Sequence, residues 1–479
     1  MPDRLPTKVL QQFEEITGRA GMVTDADLLA PHLTEWRGLY QGRAPLMLRP
    51  ASVDEVAKII GVCQAERIGV VPQGGNTGLV GGAIPRSMPE SPQVLLSLSR
   101  LNRIRELDSH NYTITADAGC VLAQVQEAAV ASDCYFPLSL AAEGSCQLGG
   151  NISTNAGGTN VLRYGNTRDL VLGLEVVLPD GRIFSGLRGL RKDNTGYDLK
   201  QLFIGAEGTL GVITAATLKL FPRPQSIATA LIAVADPDAA IGVYSRARAA
   251  LGDQLSAFEL INRLAIDLVL AHIPGTREPL AGPHDWYVLL EMGSPRAGDD
   301  ADRVLEAYLA ESIEAGVIID GVLAKNEAER DALWRIRHSI SEAQKIDGAG
   351  IKHDISVPVS RVADFLRQVE SFVNNRIPGV LVVAFGHLGD GNIHFNLNQP
   401  PNMEADTFLE FWTEISREVH TVAVDLGGSF SAEHGIGVLK SDELARLRDP
   451  VELDLMRAVK RALDPAGIMN PGKIFGQSD

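Results

Sequence analysis

The sequence PQGGNTGLVGG, residues 72–82, is the stretch that decides the fold class. It follows an apolar strand predicted at 70–71. Because glycine has no Cβ, a glycine-rich turn after a strand lets backbone N–H groups point at a phosphate. Two more such stretches follow, EGSCQLGGNISTNAGG at 143–158 and GAEGTLGVIT at 205–214. A tight surface turn would explain any one of them, but three in one region predict a large phosphorylated cofactor bound by the backbone.

The glycine stretches lie among alternating helices and strands, which indicate an α/β region. Ser52 and Glu55 form a capping box at the start of a helix, and Asp180-Gly181 predicts a hairpin turn. The prolines of residues 221–224 predict a domain boundary. We therefore predict an α+β protein with an N-terminal helical segment at 1–41, an α/β domain with the glycine stretches at 42–222, an α+β domain at 223–440, and a C-terminal helical segment at 441–479.

The composition excludes some classes of function. The chain has 479 residues and a formal net charge of −16, whereas a nucleic-acid binder would present a basic surface to phosphates. Its four cysteines show no CxxC spacing, which is typical of buried thiols in a reducing compartment. Residues 1–10 lack the pattern of a secretory signal, and no stretch is long and apolar enough to span a membrane. We therefore expect a cytoplasmic protein that binds neither nucleic acid nor membrane.

The stretch GHLGDGNIH, residues 386–394, predicts a β-hairpin that carries two histidines. If Asp390-Gly391 forms a two-residue turn, His387 lies directly opposite His394, with Cβ atoms roughly 5 Å apart on one face. Such a pair either chelates one metal ion or forms a hydrogen-bonded contact within the sheet. Glu433, in a polar turn with His434, is a candidate third ligand. Two histidines and one carboxylate leave open coordination positions, as in catalytic zinc or non-haem iron sites, but iron oxygenase chemistry would leave the glycine stretches unexplained.

A basic group on a predicted helix is a candidate anion site. Arg337 and Ser341 are four residues apart and so lie on one helix face, and Lys352 follows at the start of a strand. A solvated basic face would explain the same pattern. The functional interpretation is a carboxylate clamp, since arginine offers a planar pair of donors that matches this anion.

The three glycine stretches resemble the FAD-binding domain of flavoproteins of the vanillyl-alcohol-oxidase type. Within that group, residues 40–475 resemble the D-2-hydroxyglutarate and D-lactate dehydrogenases. The resemblance implies that residues 42–222 form a two-part α/β FAD-binding domain, that residues 223–440 bind substrate and metal, and that segment 441–479 returns to the FAD-binding domain. It also implies an FAD that is bound by Pro72, Gly74, Gly75, Asn76, Thr77, Gly78, Pro137, Ser139, Gly144, Ser145, Gly149, Asn155, Gly208 and Asn470. Some relatives attach FAD through a histidine of the first loop; residues 72–82 contain none, so we expect a non-covalent flavin.

The same resemblance assigns roles to the polar residues of the second half. It implies that His387, His394 and Glu433 bind a divalent metal, Zn²⁺, and that His434 is the general base. Arg337, Ser341, Lys352, Asn396 and His434 would bind the substrate. Relatives that act on hydroxyglutarate carry threonine where Ser341 stands, so the hydroxyl is retained. Lys352 favours a second carboxylate over the methyl group of lactate.

Together these features predict FAD- and metal-dependent oxidation of a D-2-hydroxy acid to the 2-oxo acid, with hydride transfer to flavin N5. D-2-hydroxyglutarate is the first substrate expected, followed by D-lactate and D-malate. An electron-transfer flavoprotein, a quinone and a cytochrome all remain open as the electron acceptor, and a homodimer is left open. Two alternatives remain at this point: a metallohydrolase without redox chemistry, and a flavin-binding subunit of a glycolate-oxidase-like complex.

Overall fold

The computed structural model describes residues 5–87, 91–296 and 298–476. The first four residues of the predicted segment 1–41 and the last three of the segment 441–479 therefore lie outside the described residues. The helices are α1 Thr7–Thr17, α2 Ala26–Leu33, α3 Val53–Glu66, α4 Leu122–Ala131, α5 Leu148–Ser153, α6 Val161–Tyr164, α7 Thr167–Leu170, α8 Pro237–Leu251, α9 Arg263–His272, α10 Ala301–Glu314, α11 Glu327–Asp347, α12 Val362–Arg376, α13 Ala405–Leu409, α14 Trp412–Asp425, α15 Ser441–Leu447 and α16 Pro450–Leu463.

The strands are β1 Met22–Val23, β2 Met47–Leu48, β3 Gly69–Gln73, β4 Gln93–Ser97, β5 Ile104–Asp108, β6 Thr113–Asp117, β7 Cys134–Tyr135, β8 Val171–Val177, β9 Ile183–Gly186, β10 Val212–Lys219, β11 Phe221–Pro222, β12 Ser226–Val234, β13 Leu255–Asn262, β14 Trp286–Ser294, β15 Asp320–Leu323, β16 Gly350–Ile351, β17 Asp354–Ser356, β18 Leu381–His387 and β19 Asn392–Asn398. The chain divides into two compact units, one formed by residues 1–158, 166–223 and 433–479 and the other by residues 159–165 and 224–432.

The first unit contains a sheet in the order β1–β2–β4–β3, in which β2, β3 and β4 are parallel, and an antiparallel sheet in the order β5–β6–β10–β8–β9. Helix α3 begins at the predicted capping box, where Ser52 Oγ accepts a hydrogen bond from Glu55 N at 3.2 Å. The predicted Asp-Gly hairpin joins β8 to β9, and Gly181 has a φ of 81°. The chain returns to β3 near its end, where Asn470 N donates to Val70 O at 2.8 Å.

The second unit contains an antiparallel sheet in the order β15–β12–β14–β13–β18–β19–β16, and β17 also pairs with β19. Side chains alternate between the two faces of a strand, so Leu289 of β14 packs in one apolar cluster and its neighbours Val288 and Leu290 pack in another. The first cluster includes residues of α9 and α11, and the second includes residues of α8, α10, α12 and α14. Both faces of the sheet are therefore covered by helices.

The two units divide the chain differently from the four predicted ranges, and hydrogen bonds explain two of the differences. Residues 159–165 belong to the second unit, in which Arg163 Nη1 donates to Gly293 O at 2.7 Å. Residues 433–440 belong to the first unit, in which Val438 N donates to Val80 O at 2.8 Å. The division at 223/224 falls one residue after the predicted boundary.

Two predictions from composition can be compared with the structure. All four cysteines are buried and free, as their spacing predicts. Among the helices that the structure describes, none has the length and apolar character needed to cross a bilayer.

Candidate active site

The first unit contains a cavity of about 300 Å³ that begins at the end of β3. It is lined by residues 72–80, 82–83, 98, 118, 140–142, 146–147, 149–151, 153–154, 156–157, 207–208, 211–213 and 433–434. All three glycine stretches therefore border the same space, although their first residues, 72, 143 and 205, are up to 133 positions apart in the sequence.

Two glycines of these stretches are required by close packing. A Cβ on Gly75 would lie 2.0 Å from Ser145 O, and a Cβ on Gly149 would lie 2.8 Å from the Cβ of Ala118. The first loop thus packs directly against the backbone of the second glycine stretch, where no side chain fits. By contrast, a Cβ on Gly78 would meet no atom within 4 Å.

Glu433 and His434 both line this cavity. Glu433 Oε1 accepts a hydrogen bond from Gly158 N at 2.7 Å, so the carboxylate is tied to the end of the second glycine stretch. A Cβ on Gly157 would lie 2.6 Å from the same oxygen. The candidate metal ligand and the candidate base therefore reach the wall of the cofactor cavity from a segment near the C-terminus.

A buried carboxylate that the sequence did not single out holds the same segment. Glu207 lines the cavity, and its two oxygens accept hydrogen bonds from Ile436 N at 2.7 Å and from Gly437 N at 2.8 Å. Burial raises the pKa of Glu207, and the two N–H donors, which lower it, offset only part of this effect. The sequence signal was the one acidic residue within the stretch GAEGTLG.

In the second unit, the histidine hairpin forms with a different turn from the one predicted. Strand β18 pairs with β19 so that His387 lies opposite Asn392, and Phe385 lies opposite His394. The prediction that His387 lies directly opposite His394 is therefore wrong. Residues 388–390 form a 3₁₀ turn and Gly391 has a φ of 81°, so the strands are joined by four residues rather than two.

The two histidines nevertheless share one face of the sheet. The true register differs from the predicted one by two residues, and side chains alternate with a period of two. A shift by an even number keeps each side chain on its face. The rings of His387 and His394 lie with centroids 5.8 Å apart and planes at 76°.

Glu259 joins a candidate metal ligand to a candidate substrate ligand. Its carboxylate, which is fully buried in β13, lies 2.6 Å from His387 Nδ1 through Oε1 and accepts from Arg337 Nε at 2.7 Å through Oε2. Burial opposes ionisation, but the adjacent His387 and Arg337 outweigh it and lower the pKa of Glu259 to about 2. Because an ionised carboxylate only accepts hydrogen bonds, Nδ1 of His387 carries a proton, so in the neutral imidazole the lone pair is on Nε2.

The other candidate substrate residues lie in differing surroundings. Arg337 is buried, with its guanidinium 4.8 Å from the centre of the Phe385 ring. Ser341 is exposed, and Lys352 Nζ donates to its backbone oxygen at 3.4 Å. Asn396 is buried, and its side-chain amide accepts from His353 N at 3.1 Å and donates to Gln344 Oε1 at 2.9 Å.

Family models match both units of the chain. The model described as FAD binding domain matches residues 44–186, and the one described as FAD linked oxidases, C-terminal domain, matches residues 223–474. The chain belongs to the FAD-linked oxidase family. The predicted resemblance, the FAD cofactor and the class of oxidoreductase are thereby confirmed.

The similarity of this FAD-linked oxidase to its relatives covers nearly the whole chain. It is 38% identical over 479 residues to the mitochondrial D-2-hydroxyglutarate dehydrogenase of Arabidopsis thaliana, with 99% of this chain and 82% of the relative covered. It is 39% identical to the enzyme of the same name from Rattus norvegicus, with 96% and 83% covered. It is 37% identical to a putative mitochondrial D-lactate dehydrogenase of Schizosaccharomyces pombe, with 98% and 90% covered.

Solved structures confirm the predicted fold class. A p-cresol methylhydroxylase with bound substrate matches with a TM-score of 0.76 at 17% identity, covering 99% of this chain and 98% of the other. An alkyldihydroxyacetonephosphate synthase matches with a TM-score of 0.75 at 15% identity, covering 98% and 87%. At these identities the likeness concerns the fold alone.

The residues of this FAD-linked oxidase fit the cofactor. Glycine backbone borders the cavity from three sides, as a bound pyrophosphate requires. Gln147, which lines the cavity, has a buried Oε1 with no hydrogen-bond partner in the described part of the chain. An unmet buried acceptor costs about 1–3 kcal/mol, so a donor on a molecule in the cavity would satisfy it.

The predicted FAD residues fall into two groups in the FAD-linked oxidase. Those that line the cavity are Pro72, Gly74, Gly75, Asn76, Thr77, Gly78, Gly149 and Gly208. Those that do not border it are Pro137, Ser139, Gly144, Ser145, Asn155 and Asn470. Three of the latter support the walls: Ser145 O abuts Gly75, Asn155 Oδ1 accepts from Arg168 N at 2.8 Å, and Asn470 Nδ2 donates to Gly82 O at 2.9 Å and to Glu207 O at 2.7 Å.

Proposed function

We propose that this FAD-linked oxidase oxidises a D-2-hydroxy acid to the 2-oxo acid, with D-2-hydroxyglutarate as its first substrate. The observation that carries the proposal is the buried Glu259, which bonds to both His387 and Arg337. A histidine fixed by a carboxylate is the usual form of a metal ligand, and a desolvated arginine suits a carboxylate ligand. The full-length relatives named D-2-hydroxyglutarate dehydrogenase support the same chemistry.

The proposed metal ligands are His387, His394 and Glu433, and the metal proposed is Zn²⁺. His387 offers Nε2, because its Nδ1–H is bound by Glu259. His394 lies on the same face of the hairpin. Ala432 N donates to Asp354 O at 3.3 Å, Asp354 pairs with His394 in the sheet, and Glu433 is the next residue of the chain. A bound metal would lower the pKa of the substrate hydroxyl.

The remaining steps of the proposed reaction belong to side chains of this chain. A ring nitrogen of His434 accepts the hydroxyl proton, since histidine titrates near neutral pH. Arg337 binds the carboxylate next to the reacting carbon, and Lys352 binds the distal one. Bound FAD supplies the acceptor for the two electrons that leave with the hydrogen of C2. We propose that this FAD is held without a covalent bond, since residues 72–82 lack histidine.

A D-lactate dehydrogenase is the second candidate, favoured by the Schizosaccharomyces pombe relative. Ser341 is exposed and Lys352 is partly buried, so two polar side chains belong to the candidate clamp besides Arg337. Polar side chains suit the second carboxylate of a dicarboxylate better than the methyl group of lactate. An electron-transfer flavoprotein or a quinone as electron acceptor, a homodimer and a cytoplasmic location stay predictions; several relatives are named as mitochondrial.

One set of measurements tests the proposal. The purified protein should have flavin absorbance near 375 and 450 nm that bleaches anaerobically when D-2-hydroxyglutarate is added, and a chelator should abolish the bleaching. D-lactate, D-malate and the L-isomers serve as comparisons. Bleaching by none of these acids would sink the proposed reaction, and full bleaching after metal removal would sink the role of the metal.

A further inference from the structure

Within the first unit, Glu207 connects the third glycine stretch to the segment that carries His434. Both oxygens of its carboxylate are used: Oε1 accepts from Ile436 N at 2.7 Å, and Oε2 accepts from Gly437 N at 2.8 Å. A Cβ on Gly435, whose φ is 80°, would lie 2.8 Å from Oε1. The carboxylate therefore lies directly against the backbone that follows His434.

The backbone of Glu207 is itself fixed in an unusual conformation. Its φ is 51°, in the left-handed region that non-glycine residues rarely adopt. Glu207 N donates to Ser153 O at 2.8 Å, and Asn470 Nδ2 donates to Glu207 O at 2.7 Å. Because of this positive φ, a glycine would fit the turn more easily than a glutamate. The turn therefore does not explain why a glutamate stands at position 207, whereas the two hydrogen bonds of its side chain do.

We propose that Glu207 is a positioning residue, which holds segment 433–437 so that His434 lies in the wall of the cofactor cavity. Glu207 and His434 both line that cavity. A second anchor lies just beyond, where Val438 N and Leu439 N donate to Val80 O at 2.8 and 3.2 Å. On the C-terminal side of His434 the Glu207 anchor is the nearer of the two, so its loss should loosen the segment that carries the histidine while Val438 and Leu439 stay bound.

This inference rests on the proposed role of His434 as the base, and it predicts two separate effects of Glu207→Gln. A glutamine can accept one of the two N–H groups but turns a donor toward the other. Backbone amides of 433–437 should then exchange with deuterium at least about tenfold faster, even in flavin-free protein, whereas the amides of Val438 and Leu439 should keep the wild-type rate. The limiting rate of flavin reduction by D-2-hydroxyglutarate, per bound flavin, should fall about 10–100-fold, while the KM changes little because the clamp is intact.

Glu175→Gln is the matched control. Glu175 is a buried carboxylate of the same unit, but it accepts from Arg105 Nη2 at 2.8 Å and from Thr214 Oγ1 at 2.9 Å and touches no residue of 433–440 in the described bonds. It should leave exchange in 433–440 at the wild-type rate. Gly435→Ala, which leaves Glu207 in place but forces a Cβ against its Oε1, should reproduce both effects if the glutamine variant does not fold.

The outcomes separate this inference from the proposed function. Unchanged exchange in 433–437, or faster exchange with an unchanged reduction rate, would overturn the positioning role. So would a loss of flavin content with a normal rate per bound flavin, because that result describes a cofactor ligand only. The proposed function fails if no hydroxy acid reduces the wild-type flavin, or if the flavin of His434→Ala is reduced at the wild-type rate. In either case the exchange measurement still tests whether Glu207 holds segment 433–437.

Discussion

Replacing Glu259 with glutamine should break the connection between the proposed metal ligand His387 and the proposed substrate ligand Arg337 while keeping the shape of the side chain. Glu259 is fully buried, with its oxygens 2.6 Å from His387 Nδ1 and 2.7 Å from Arg337 Nε. Arginine donates at any relevant pH. The amide of E259Q must therefore either turn its NH₂ toward Arg337, donor against donor, or turn it toward His387.

The second orientation reverses the tautomer of His387. With an NH₂ as neighbour, Nδ1 must accept, so the proton moves to Nε2 and the lone pair that would bind metal is lost. The first orientation loses the hydrogen bond from the charged Arg337, and the second keeps two hydrogen bonds but holds His387 in the tautomer that cannot bind metal. A hydrogen bond to a charged group is worth about 1.5–3 kcal/mol. That range corresponds to about 10–150-fold in an equilibrium constant, and it agrees with the roughly 10–100-fold typical of outer-shell partners of metal ligands.

The measurement is a competition titration of Zn²⁺ between the protein and a chromophoric chelator. We expect the Kd of E259Q to rise about 10–100-fold, and flavin reduction by D-2-hydroxyglutarate to become dependent on added metal. Flavin content should stay at the wild-type level, because Glu259 belongs to the second unit and the glycine cavity to the first.

Glu291→Gln is the control for this experiment. Glu291 is a mostly buried carboxylate on β14 that accepts from Thr229 Oγ1 and Trp334 Nε1, both at 2.7 Å, and neither partner is a candidate metal ligand. It should bind Zn²⁺ as the wild type does. Equal metal affinity in E259Q and wild type would refute the tautomer argument, and a wild type that binds no metal would refute the ligand set itself.

Three further predictions concern other parts of the molecule. Gly75→Ala should abolish flavin retention, because its Cβ would stand 2.0 Å from Ser145 O, whereas Gly78→Ala should retain flavin, since its Cβ would meet nothing within 4 Å; absorbance after gel filtration compares the two, and equal retention would contradict the packing argument. Lys352→Ala should lower kcat/KM for D-2-hydroxyglutarate about 10–100-fold but that for D-lactate much less, and equal losses would mean that Lys352 does not reach the substrate. Burial lowers the pKa of Lys473 to about 8, with a smaller contribution from a nearby arginine; a charged Lys473 therefore costs folding stability below pH 8, and the cost disappears between pH 8 and 10.5. Wild-type stability should rise over that interval by up to about 3 kcal/mol relative to Lys473→Met, and a thermal-shift difference that stays constant with pH would count against it.

The face of the histidine hairpin could be predicted from the sequence, but its turn could not. Alternation with a period of two fixes which side chains share a face, and the true register differs from the predicted one by two residues. The turn depends on local bonds: Asp390 Oδ1 accepts from Asn392 N at 3.1 Å, and Gly391 N donates to His387 O at 3.0 Å. Those bonds favour a four-residue connection, although Asp-Gly is also typical of a two-residue turn.

Local sequence patterns could not identify the hydrogen-bond partners of the predicted site residues. Glu259 is 128 positions from His387 and 78 from Arg337, and no periodicity relates residues so far apart. Its only signal was a charged residue inside the otherwise mostly apolar strand Leu255–Asn262. A buried charge is costly unless it is paired, so this position could have been inferred to have a cationic partner without identifying which one.

Glu207 and Glu259 form their hydrogen bonds in the same way. Each is a buried carboxylate whose two oxygens meet two different donors. One cation would be enough to neutralise a carboxylate. Glu291 differs from Glu207 and Glu259 because both of its donors bind the same oxygen. Using both oxygens fixes the orientation of two groups relative to each other, which is what a metal ligand beside a substrate ligand requires. Glu259 orients two side chains and Glu207 orients two backbone N–H groups, so the same arrangement occurs once in each unit.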